Sequence, residues 1–101
     1  MSSPATSLLP ETLDTSAASP LRIALLDRID RGEPVHLDGS EVTRAGLACL
    51  QVLASARATA VEQDVEFRLE KPSEALARMI GLAGLDEALA LSGDDDRDLD
   101  A

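Results

Sequence analysis

Residues 65–70 alternate without a break. Val65, Phe67 and Leu69 are apolar, and Glu66, Arg68 and Glu70 are charged. Only an extended strand separates such a pattern, because successive side chains point to opposite faces. The sheet that contains it must be covered on one face and wet on the other. A sheet with one charged face cannot be sandwiched between two helix layers, so the helices belong mainly on one side.

The stretch 37–53 reads as the end of a strand, a turn and the start of a helix. Val35 and Leu37 share one strand face and His36 lies on the other. Asp38-Gly39-Ser40 supplies turn chemistry. From Thr43 or Gly46 to Glu62 the pattern is helical, with Leu47, Leu50, Leu53, Ala54 and Val61 on one broad face. Strand-to-helix junctions of this kind are where open α/β sheets place ligands and partners.

The remaining elements follow from punctuation and period. Residues 7–13 form a short first strand that Pro10 confines to an edge or a bulge. Ser19-Pro20 opens a helix, Leu21, Leu25 and Ile29 form its inner stripe with Ala24 and Leu26 beside them, and Gly32 stops it. Lys71-Pro72-Ser73 is a turn and a cap. A third helix carries Leu76, Met79 and Ile80 inward and ends at Gly81, and Leu82, Leu85 and Leu89 suggest a short last helix. This order predicts an α/β fold. It is a single small sheet, mostly parallel or mixed, of about three to five strands, with helices mainly on one face. Residues 1–6 are expected to be a disordered tail, 7–91 the folded domain and 92–101 an acidic disordered tail.

The bulk numbers exclude several function classes. Nineteen acidic side chains stand against nine basic ones, a net charge of −10, which phosphate backbones and anionic membranes would repel. Phe67 is the only aromatic residue, so base stacking has no platform and nucleic acid is not an expected partner. The apolar runs are too short to cross a bilayer, and no signal segment is visible, so no direct membrane insertion and a cytoplasmic location are expected. Cys49 is the only cysteine, and it sits within an apolar run as a small core residue does.

With these residues in place the chain resembles the STAS family, the sulfate-transporter and anti-sigma-factor-antagonist domain. Asp38, Ser40 and Val42 match the family's loop pattern. Leu50-Gln51-Val52-Leu53 resembles the corresponding run in the small STAS subunit of bacterial lipid-asymmetry transporters. The ending, from Pro72-Ser73-Glu74-Ala75-Leu76 through Gly81-Leu82 and Gly84-Leu85, is also similar to that subgroup. The similarity covers about residues 8–89. It implies a small sheet packed on helices and a role in protein–protein signalling. In the antagonists, the Ser after the loop Asp accepts phosphate from a partner kinase. Aligned on Leu50-Gln51, this chain has Gly46 at the Asp position and Leu47 at the Ser position, followed by Ala48 and Cys49. Leucine has no hydroxyl, so transfer at that position is chemically impossible.

The candidate partner-binding residues are Ser40, Glu41, Thr43, Arg44 and Leu47. Ser40 and Thr43 are the hydroxyls nearest the missing acceptor. Phosphorylation of either would add roughly −1.5 to −2 charge near a helix N-terminus. The plainer reading is that Ser40 caps the turn and Thr43 the helix. Leu47 packs inward by default; exposed, it would be an apolar docking point flanked by Arg44 and Glu41. Asp38 has no His or Glu at ligand spacing, so a turn role outweighs a metal or base role. The single His36 has no evident nucleophile, and the glycines fit no phosphate-cradling pattern. The tail's aspartates lack the Gly and terminal Glu of a calcium loop.

No catalytic, metal or cofactor residues are therefore expected. The primary expectation is a non-enzymatic regulatory or adaptor domain. It would bind a larger protein: a transporter ATPase, an anti-sigma kinase or a chemotaxis signalling protein. The alternatives are a switch phosphorylated on Ser40 or Thr43, and a domain holding a small ligand at the junction.

Overall fold

The computed structural model describes residues 6–89. Expectations for residues 1–5 and 90–101, including the acidic tail, lie outside the described residues. The elements run β1 (Ser7–Leu8), β2 (Thr12–Leu13), α1 (Thr15–Asp30), β3 (Val35–Asp38), β4 (Arg44–Ala45), α2 (Leu47–Glu62), β5 (Phe67–Glu70), α3 (Glu74–Leu82) and α4 (Asp86–Leu89).

β3 is the central strand of a parallel three-stranded sheet ordered β1-β3-β5. Val35 pairs with Phe67, and Leu37 with both Leu69 and Ser7. Paired residues in a parallel sheet share a face, so Val35, Leu37, Phe67 and Leu69 all turn inward. His36, Asp38, Arg68 and Glu70 turn outward together with Leu8. α1 and α2 pack on each other, α1 against β3 and α2 against β5, so that Leu25, Ile29, Leu50 and Leu53 share one buried core with Val35 and Leu37. The half-wet sheet with helices on one side is as the alternation at 65–70 predicts.

The first strand is not continuous. Pro10 divides it into β1, which joins the main sheet, and β2, which pairs in parallel with β4 as a separate two-stranded ribbon. Helix α1 also starts before Ser19-Pro20. Asp14 is its N-cap: the carboxylate accepts the Ala17 N–H at 3.2 Å and the Ser16 hydroxyl at 2.7 Å. These bonds, the Ser16 hydroxyl foremost, hold the Asp14 carboxyl below its ordinary range. Pro20 then lies in the second turn, where it removes one backbone donor. Of the inner stripe, Leu25 and Ile29 are buried and Leu21 half-buried, whereas Ala24 is exposed.

Three helices end in the same way. After α1, the Gly32 N–H donates to Ile29 and the Glu33 N–H to Arg28. After α3, the Gly84 N–H donates to Gly81 and the Leu85 N–H to Ile80. These are paired 5→2 and 6→1 bonds around a left-handed residue, with φ +73° at both Gly32 and Gly84. Gly84, not Gly81, therefore stops the third helix, and Gly81 lies inside it.

Helix α2 uses the same motif with Asp64 at φ 59°. A side chain in the left-handed region costs about 1 kcal/mol or more, which glycine avoids. Glycine's greater freedom in the unfolded chain returns part of that gain. Asp64→Gly is expected to raise stability by about 0.5 kcal/mol, read as a higher midpoint in thermal or urea unfolding. A lower midpoint would show that the Asp64 side chain stabilises the turn in a way its backbone does not reveal.

The buried stripe of α2 is Cys49, Leu50, Leu53, Ala56 and Ala60. At about 100° per residue, Leu47 and Val61 fall outside it, and both are exposed rather than inward. Leu82 is likewise exposed, whereas Leu89 of α4 is buried.

Candidate partner-docking site

β3 ends at Asp38, whose carboxylate accepts the Ser40 N–H at 2.8 Å. Hydrogen bonds from Ser40, hydroxyl first and backbone second, keep the Asp38 carboxyl below its ordinary range, and the Lys71 charge adds to them. The turn is further tied at Gly39, whose N–H donates to the Glu70 carbonyl at 2.9 Å and whose carbonyl accepts the Ser73 N–H at 3.0 Å. Val42 anchors the loop. Its side chain is buried, and its carbonyl accepts the Ser73 hydroxyl at 2.5 Å.

The chain then passes into β4 instead of entering the helix directly. The Thr43 and Arg44 N–H groups both donate to the Glu11 carbonyl, and the Gly46 N–H donates to Leu13. Thr43 does not cap the helix, because its hydroxyl donates to the Glu11 carbonyl at 3.2 Å, before β4. The N-cap of α2 is Gly46, which has no side chain to contribute.

Ser40, Glu41, Thr43, Arg44 and Leu47 are all exposed at this end of the molecule, around the buried Val42. Leu47, the first residue of α2, is 54% exposed. Thr43 and Arg44 also line a cleft of about 430 Å³, whose other wall is Glu74, Ala75, Arg78 and Met79 of α3. Sequence reasoning did not place α3 in the site. The available signal was the wet side of that helix, where Glu74 and Arg78 stand one turn apart while Leu76 and Ile80 face the core.

The chain matches the family described as "Mlab, STAS domain" over residues 9–94. It belongs to the STAS domain family. Comparison with curated proteins returns no match. STAS domains are regulatory, anti-sigma-factor-antagonist-like and generally non-enzymatic.

Two residues singled out in the sequence lie apart from the exposed loop of this STAS domain. His36 is on the outer sheet face, its ring largely covered, with Nε2 3.5 Å from a Glu66 carboxylate oxygen that also accepts from Arg68 Nε at 2.6 Å. Its Nε2 has no well-formed hydrogen bond. Among the described residues, no three His, Cys, Asp or Glu side chains gather as a metal site would require.

Cys49 is fully buried, and its thiol donates to the Asp14 carbonyl at 3.2 Å. Burial, and secondarily the Asp14 charge, push its pKa above the ordinary 9.0. A group whose folded pKa is raised contributes stability below its unfolded pKa and loses it as pH climbs through the folded one. Native protein is therefore expected to resist thiol reagents at pH 8 and to lose stability above about pH 9. The Cys49→Ala variant should lose less over the same pH range. Rapid labelling of the native thiol would contradict its sealed position.

Proposed function

We propose that this STAS domain is a non-enzymatic regulatory adaptor that binds a larger protein through the loop at residues 38–47. Ser40, Glu41, Thr43 and Arg44 form the polar surround, and Leu47 is the apolar contact. The observation that carries the reading is Leu47 itself. It stands out to solvent at the first turn of α2, where resemblance to the antagonists puts their phosphoryl acceptor. An apolar residue with polar neighbours at an exposed, well-braced junction is the make-up of a small interface. The resemblance of Leu50-Gln51-Val52-Leu53 to the transporter subunits supports the ATPase of a lipid-asymmetry transporter as partner. An anti-sigma kinase and a chemotaxis protein are the other settings. All three imply the cytoplasm, and no helix among the described residues is long and apolar enough to cross a membrane.

Leu47→Asp tests the reading. The substitution is at an exposed site, and a carboxylate suits the first turn of a helix, so the fold should survive it. Loss of a central apolar contact costs about 2 kcal/mol or more, roughly thirty-fold in Kd. Pull-down and titration with the protein encoded beside this chain should show that loss. Equal binding by both forms would place the interface elsewhere. The exposure of Ser40 and Thr43 favours the phosphorylated switch as second reading. Intact-mass measurement after incubation with a kinase and ATP separates the two. Stoichiometric phosphate on either hydroxyl that alters binding would replace the constitutive adaptor with a switch.

A further inference from the structure

The cleft between β4 and α3 holds two guanidinium groups that the fold does not use. Of the other described arginines, Arg28 donates to the Pro34 carbonyl, Arg31 pairs with Asp27, Arg57 donates to the Ala88 carbonyl and Arg68 pairs with Glu66, while Arg22 on α1 is also unpaired but shares neither of the clefts it lines with a second arginine. Among the described residues, Arg44 and Arg78 make neither an ion pair nor a hydrogen bond. They come from different elements and line the same cleft, in a chain with only nine basic side chains against nineteen acidic ones. The rest of the lining is mostly apolar, Ala45, Ala75 and Met79, with Thr43 and Glu74 at the same cleft.

We propose that this cleft seats a segment of a protein partner that presents a carboxylate beside an aliphatic side chain. The carboxylate lies between the guanidinium groups, and the aliphatic group lies on Ala45, Ala75 and Met79. The inference rests on the reading that this end of the molecule docks a protein, and it names the chemistry of the docked segment. Guanidinium groups match carboxylates geometrically and are weakly hydrated, so arginine loses less on entering an interface than lysine. Methionine adapts to the shape of an incoming side chain. The mostly apolar lining argues against a phosphate dianion, which needs hydrogen-bond donors on more of its surface, and the Thr43 hydroxyl already donates to the Glu11 carbonyl. Glu74 and the net charge of −10 also repel a dianion or polyanion more strongly than a single carboxylate.

Selection of short random displayed peptides on the full chain, counter-screened on the R44E/R78E double variant, tests this. Enriched peptides should carry Asp or Glu within two positions of Leu, Ile, Val or Met. A synthetic copy should lose about tenfold or more in affinity on R44E/R78E, and equally when its own acid is replaced by the amide. Both arginines are exposed, so the variant should melt with the parent; the milder R44A/R78A pair repeats the measurement if it does not. Peptides rich in Lys or Arg, peptides bound equally by both proteins, or no enrichment would each overturn the proposal. So would sedimentation showing a dimer that R44E/R78E dissociates, which would give the cleft to a second copy of this chain. Peptides lost with R44E/R78E but unaffected by Leu47→Asp uphold the cleft independently of the Leu47 contact. Peptides lost with Leu47→Asp alone overturn the cleft and leave the docking reading standing.

Discussion

Replacing Gly39 with alanine is expected to destabilise the domain by about 1–3 kcal/mol, the usual cost of forcing a methyl into a filled site. In a domain of this size that lowers the melting temperature by roughly 4–8 °C per kcal/mol. A Cβ at Gly39 would lie 2.6 Å from Leu76 Cδ2, 3.4 Å from the Pro72 Cα and 3.6 Å from Leu69 Cδ1. Leu76 is fully buried and has little room to yield. The backbone cannot retreat either, because Gly39 is hydrogen-bonded to Glu70 on one side and Ser73 on the other. Against this, alanine reduces the freedom of the unfolded chain, a gain of about 0.4–1 kcal/mol that is smaller than the clash. A double-mutant cycle with Leu76→Ala isolates the cause. That substitution alone should cost about 2–5 kcal/mol, and it opens the space the new methyl needs. The double variant should be more stable than the sum of the single changes predicts by about 1 kcal/mol or more. Equal cost of Gly39→Ala in both backgrounds would show that contact with Leu76 is not what demands a glycine.

Like the Leu76 contact at Gly39, much of this fold depends on residues distant in the chain, and only local patterns are legible in sequence. Period-2 order at 65–70 is local, so β5 and the wet sheet face are legible from six residues, although the strand itself is Phe67–Glu70 because the Val65 N–H still closes the end of α2. β4 is not legible, because Arg44 and Ala45 carry no strand pattern and are extended only through pairing with Thr12 and Leu13, far earlier in the chain. The start of α1 differs from the expectation because two capping signals compete. Ser19-Pro20 has the better dipeptide, but Asp14 wins because its carboxylate reaches both Ser16 and Ala17. Gly81 and Gly84 look alike as stop signals. Only the chain's need to turn left-handed before Leu85, which settles half-buried against the core, selects Gly84. Hydrophobicity alone turns Leu47 inward by default and leaves exposure as the alternative; the structure takes the alternative, because the buried stripe of α2 runs through Cys49 and Leu50. The polar residues of the candidate loop are legible in sequence as a turn, and the α3 wall opposite them is not. That wall stands across the cleft from Arg44 because α3 is fastened beside the loop.

Ser73 is that fastening, and its removal is the second large effect expected. Its hydroxyl accepts the Leu76 N–H at 3.0 Å as the N-cap of α3 and donates to the Val42 carbonyl at 2.5 Å. Ser73→Ala deletes both bonds at once. Loss of the cap costs about 0.5–2 kcal/mol, and a part-buried carbonyl left unpaired costs up to about 1–3 kcal/mol. The unfolding free energy should fall by about 2–3 kcal/mol, because water reaching the loosened loop recovers part of the second loss. Two further variants divide the roles. Ser73→Thr keeps acceptor and donor and should remain near the parent. Ser73→Asp keeps the acceptor, and its charge suits a helix N-terminus, but it has no proton for Val42. Ser73→Asp should therefore regain much of the thermal stability lost in Ser73→Ala while leaving residues 42–44 loosely held. Amide exchange at Thr43 and Arg44 reads that looseness directly, since both donate to Glu11 only while the loop lies in place. Protection in Ser73→Asp equal to the parent would mean that Val42 is held by its buried side chain alone. The cleft between β4 and α3 would then owe its shape to packing and not to this hydroxyl.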